Sequence, residues 1–150
     1  MKNRAGEAVT AFSRGYSCTM AILSAYGPDF GLDPGTAARI ASPFGAGVTK
    51  TGEICGAVSG ALMVLGLTQE LGEIGDSASR EKAYALARRF IGDFMARNGS
   101  VNCTELVGYD LSDPAQFALA REKKVFATRC AGLVRDAGEI LEGILSDLPR

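Results

Sequence analysis

The chain has 150 residues, 47% hydrophobic and 22% charged, the size and balance of one soluble globular domain that buries roughly 70% of its unfolded surface. Its 16 basic and 17 acidic side chains leave a formal net charge of −1, and without a long basic run nucleic acid is excluded as a partner. There is no histidine, which removes the catalytic triad, the Cys–His nucleophile pair and the mixed Cys/His zinc site.

Helical periodicity dominates from the start. The stretch 1–7 has no apolar run and no cleavage pattern, so no secretory signal is read there and a cytoplasmic location is expected. Val9, Phe12, Tyr16 and Ile22/Leu23 recur at helical spacing and predict a first helix over 6–26, stopped by Gly27-Pro28. Asp33-Pro34 is an N-cap followed by proline and starts a short helix to residue 40. Pro43 then opens a glycine-rich loop, 44–52.

A third helix is expected over 52–67, carrying the longest apolar run of the chain. That run falls short of the ~20 residues a membrane span needs, so no span is expected and a central buried helix is. Gly56 and Gly60, with Ala57 and Ala61, make a small-residue face onto which a neighbouring helix can close. Ser77 or Ser79 caps a fourth helix to residue 97, ended by Gly99. Asn102 caps a short turn with Glu105 in the capping-box position, Asp113-Pro114 starts another piece, and a long last helix spans 124–147. The expected fold is all-α, one irregular helical bundle over 1–150 with a central glycine- and alanine-rich helix.

Chemistry must then come from Cys18, Cys55, Cys103 and Cys130, which lie in four separate segments. Cys55 falls in the first turn of the 52–67 helix, with Thr51 as its cap, and Cys103 follows Asn102 directly. A thiol in a first turn meets the positive end of the helix dipole and free N–H groups, so these two are the expected thiolates. Cys18 and Cys130 are placed inside helices, on stripes with Ile22 and with Leu133. Against this stands the plain alternative that cysteine is a small core hydrophobe.

No Cys-x-x-Cys occurs, which excludes a thioredoxin-like pair, a zinc ribbon and ferredoxin-type runs. A four-thiolate zinc or iron–sulfur site on Cys18, Cys55, Cys103 and Cys130 stays open if the fold gathers them. The loop around Lys50-Thr51 fails as a phosphate-binding loop, because Thr49 stands where glycine is required. It can still present N–H groups beside Cys55. A redox couple or metal site requires the cysteines to meet. The expected neighbours are Cys18 with Cys55 and Cys103 with Cys130, beside the 45–52 loop.

Tyr16-Ser17-Cys18-Thr19, the stretch 44–67 with Cys55-Gly56-Ala57-Val58-Ser59-Gly60, Cys103-Thr104-Glu105-Leu106 and Cys130 occur in that order. This set resembles a family of redox-active proteins labelled by a C…GCAxxG…C…C signature, over about 12–140. The label writes glycine before cysteine, whereas the order here is Cys55-Gly56. The resemblance implies a redox role for Cys18, Cys55, Cys103 and Cys130, and supplies no substrate. Three functions follow: a thiol redox protein in which Cys55 and Cys103 attack and Cys18 and Cys130 are their partners; a four-thiolate metal protein; and a non-catalytic helical binding module. The partner is a redox protein or a small molecule.

Overall fold

The computed structural model describes residues 3–149. It is all-α, with eight α-helices and no strand among the described residues. In chain order they are α1 Ala5–Ser13, α2 Cys18–Tyr26, α3 Pro34–Ala41, α4 Gly56–Leu67, α5 Ser77–Asn98, α6 Cys103–Val107, α7 Pro114–Glu122 and α8 Ala131–Ser146. Side chains of Ser17, Asp33, Asp76, Asn102 and Asp113 each accept a first-turn N–H and so set five of these starts. Asp76 therefore caps α5, in place of the expected Ser77 or Ser79.

Helix α4 is apolar on every face and buried for most of its length, as a helix surrounded by others must be. Helices α2, α5 and α8 pack on it, and α1 closes over α2 and α8. Tyr26, Phe90, Phe94, Leu65 and Leu141 fill the space between them. The small-residue face of α4 meets α2, as expected. A Cβ on Gly56 would stand 2.6 Å from Thr19 Oγ1 and 3.1 Å from Cys18 Cβ. Glycine at 56 therefore brings the start of α2, with its cysteine, against the start of α4. No helix among the described residues is long and apolar enough to cross a membrane.

Three expected helices are cut differently, each near a cysteine. The 6–26 helix is two helices, because Gly15 takes φ 117° and Ser17 caps a new start by accepting the Met20 N–H. The 52–67 helix begins only at Gly56. Residues before it are extended and form an antiparallel bridge, Ile54 with Asn102, in which Cys55 N–H donates to Val101 O at 2.8 Å and Cys103 N–H to Glu53 O at 2.6 Å. The 124–147 helix opens with a π-helical segment, Phe126–Cys130, before α8.

The glycine-rich loop is a left-handed turn. Ala46, Gly47, Val48, Thr49 and Lys50 all have φ between 51° and 69°. Such a run costs roughly 1–2 kcal/mol for each residue with a Cβ. It is held by Glu53 N–H donating to Gly47 O at 2.8 Å and by Thr51 Oγ1 donating to the same oxygen at 2.8 Å. Gly47 is the residue that lets the turn sit down on its neighbours, since a Cβ there would stand 2.6 Å from Cys103 Cβ.

Candidate functional site

The altered helix boundaries place three of the four cysteines at helix starts. Cys18 is the first residue of α2, Cys55 is the N-cap of α4, and Cys103 is the first residue of α6. Cys18 was expected inside a helix, and the break at Gly15 moves it to an end. Cys130 closes the π-helical segment; wide turns of this kind recur at functional sites. The bridge between their segments brings Cys103 and Cys55 into one neighbourhood, offset along it, and Cys18 is held against α4 by the close approach at Gly56.

All four cysteines line one cavity of about 420 Å³. It lies between the main core, which contains Cys55, and a smaller cluster under α7 that contains Cys103 and Cys130. Phe12, Leu106, Leu111, Phe117, Phe126 and Leu133 make most of the wall, and the left-handed turn contributes Ala46, Gly47 and Lys50. Cys55, Cys103 and Cys130 are buried and Cys18 is half-buried; none is paired with another. The expected neighbours do lie together, Cys18 beside Cys55 through the contact at Gly56 and Cys103 beside Cys130, with no disulfide in either pair. Cys18 and Cys130 are also close, and the proton between them stays on Cys18.

That contact sorts the four thiols. The closeness of Cys18 holds Cys130 below its ordinary value, with help from the Arg129 guanidinium. The same contact, together with burial, pushes Cys18 well above its ordinary value. Burial pushes Cys55 up to about 11, although the N–H groups of Ala57 and Val58 and the charge of Arg129 pull it down. Burial pushes Cys103 up to about 12, with the neighbouring Cys55 and Cys130 adding to it. Burial thus weighs against the expectation that Cys55 and Cys103 are the acidic thiols. A helix start contributes about 0.3–1 kcal/mol, less than the ~1.4 kcal/mol of a single pKa unit, while burial moves a group by up to ~3–5 units.

Two cations stand at the site: Arg129, not singled out from the sequence, and Lys50, weighed there only as part of a loop that fails to bind phosphate. Arg129 donates through Nε to Leu106 O at 3.1 Å, which fixes its guanidinium near Cys130 and Cys55. Its place next to Cys130 in the chain was the available signal. Lys50 lies with Nζ 4.3 Å from the centre of the Phe117 ring; nothing local in the sequence pairs residue 50 with residue 117. The loop's N–H groups do not reach Cys55, because Gly52 and Glu53 donate back to Ala46 and Gly47. Glu105 does not complete a capping box directly. It accepts from Ser100 Oγ, which in turn accepts from Asn102 N–H. Among the described residues no group of three or more His, Cys, Asp or Glu side chains is placed to hold a metal ion, so the four thiols as they stand do not fit the zinc or iron–sulfur centre that spacing left open.

Comparison with curated proteins and with solved structures finds no match. A family model described as "Putative redox-active protein (C_GCAxxG_C_C)" matches residues 16–144, a span that holds all four cavity cysteines and the Cys55–Gly60 motif. The chain belongs to this C_GCAxxG_C_C family of redox-active cysteine proteins.

Proposed function

We propose that the protein is a dithiol redox protein in which Cys130 is the attacking thiolate and Cys18 the resolving thiol. The observation that supports this is the meeting of four thiols from four separate segments at one cavity, where Cys18 is raised and Cys130 lowered by their closeness. Independent core cysteines have no reason to gather so. In the forward reaction the Cys130 thiolate attacks one sulfur of a disulfide. A Cys130–substrate disulfide forms, and the other half of the substrate leaves as a thiolate. Cys18 then loses its proton and attacks the Cys130 sulfur. A Cys18–Cys130 disulfide forms, the second half leaves, and two electrons have passed to the substrate.

Cys55 and Cys103 serve this pair as neutral neighbours. With values of about 11 and about 12 they keep their protons at neutral pH. They therefore leave the charge of Cys130 unopposed, and they are not the attacking groups. The test is to equilibrate reduced protein anaerobically with glutathione redox buffers, quench with acid, and map the cysteines by mass. A Cys18–Cys130 disulfide that titrates reversibly and vanishes in Cys130→Ser is the expected result. Four thiols that stay alkylatable at every ratio would return the chain to a binding module with core cysteines.

A further inference from the structure

The cavity also carries information about what enters it. Among the described residues that line it, Lys50 is the only charged side chain, and no aspartate or glutamate faces in. Its volume of about 420 Å³ lies within the roughly 300–1,000 Å³ of small-molecule sites. The rim is reached from solvent at Tyr16, which is 39% exposed, and at Lys50. Inside lie aromatic and aliphatic walls, with Phe117 and Phe126 tilted against each other at 5.2 Å between ring centres.

Lys50 is held in an unusual way. Its backbone has φ 67°, in a run where glycine or asparagine would be less strained. Strain of this kind persists where the position of a group matters. Here it sets the ammonium over Phe117, at the border between the apolar wall and water. A cation so placed keeps its attraction for an anion better than one surrounded by solvent.

We infer that the cavity takes a small organic disulfide with an apolar body and a negatively charged group, the charge resting on Lys50 and the sulfurs directed to Cys130. This inference rests on the dithiol reading above and specifies its substrate class. The exchange is the one already balanced: the ligand's S–S bond breaks, the Cys18–Cys130 bond forms, and the ligand leaves as two thiolates.

Reduced full-length protein would be mixed anaerobically with three probes in a stopped-flow instrument. They are 5,5′-dithiobis(2-nitrobenzoate), which is aromatic and anionic, 4,4′-dithiodipyridine, which is aromatic and neutral, and cystamine, which is cationic. Each rate constant is divided by that for 2-mercaptoethanol, to remove the probe's own reactivity. The anionic probe is expected to exceed cystamine by about tenfold or more, given a single favourable charge contact. Lys50→Asn, which suits a left-handed backbone and removes the charge, is expected to lose that preference. Lys50→Arg is expected to keep it. Equal normalised rates for anionic and cationic probes, or a preference that survives Lys50→Asn, would overturn the anionic assignment while the dithiol chemistry stands. Peptide mapping separates the other failure: if no probe yields a Cys18–Cys130 disulfide, the dithiol reading and this inference fall together.

Discussion

Cys18 begins one helix and Cys130 ends the π-helical segment before another, yet both face one cavity and share a proton that stays on Cys18. The proton they share makes one a better nucleophile at the expense of the other. Cys130 should accordingly be alkylated first by iodoacetamide near neutral pH, as read by mass mapping of partial reactions. Cys18→Ala removes that neighbouring thiol and should move the Cys130 rate profile to higher pH. Arg129→Gln should move it the same way, because the guanidinium favours the anion. A faster reaction at Cys55 or Cys103 below pH about 8 would contradict this order.

The close approach of α2 to α4 can be tested by adding atoms to it. A Cβ at Gly60 already meets Ile22 Cβ at 3.0 Å and Thr19 O at 3.1 Å. Gly60→Leu should then cost on the order of 1–3 kcal/mol by overpacking. Gly66 lies in the same helix with nothing within 4 Å of a Cβ. Gly66→Ala should instead stabilise by roughly 0.5–1 kcal/mol through helix propensity. Thermal melts of the two variants should shift in opposite directions, and equal shifts would contradict the packing described.

Much of this architecture was legible locally, and the rest was not for definable reasons. Asp33, Asn102 and Asp113 announce helix starts because a cap needs only its own first turn. The apolar run of α4 announces a buried helix for the same reason. Gly15, by contrast, is one glycine in an otherwise periodic stretch, and only its φ of 117° makes it a break. The left-handed turn has no sequence signature, since Ala46, Val48, Thr49 and Lys50 all disfavour the conformation they adopt. Their strain is sustained by contacts with Glu53 and Cys103 that exist only in the fold. For the thiols, a dipole can be read from a helix start, whereas the burial of Cys55 and Cys103 that opposes it cannot.

That strained turn makes a prediction of its own. Thr49 has φ 51° and an exposed side chain, so little packing opposes its replacement. Thr49→Gly should raise stability by about 1 kcal/mol, the relief of left-handed strain exceeding the added chain entropy. Lys124, exposed with φ 58° beyond the end of α7, should respond alike to Lys124→Gly. Urea unfolding at constant slope provides the measurement. A lower midpoint for Thr49→Gly would mean that the turn is held by side-chain contacts rather than despite its backbone.

Alkaline pH should unfold the protein through its buried thiols. Cys55 and Cys103 have folded values of about 11 and about 12 against an ordinary value near 9. A group raised in the folded state contributes stability that is whole below the unfolded value and lost as pH climbs through the folded one. Between pH about 9 and about 12 the unfolded chain sheds these protons first, and stability falls by an amount on the order of a few kcal/mol. Cys18, also raised, adds to the loss. Cys130 has the opposite sign: its contribution is present above the unfolded value and fades as pH falls through the lowered one. Tyr26, raised by burial beside Glu142, contributes at still higher pH, so wild type alone does not isolate the thiols. Urea midpoints from pH about 8 to about 10.5 should therefore be compared between wild type and the Cys55→Ala/Cys103→Ala variant. The variant should show the flatter decline. If the two decline in parallel, the thiols of Cys55 and Cys103 ionise as freely in the folded chain as in the unfolded one, and the cavity that holds them is wetter than its apolar walls imply.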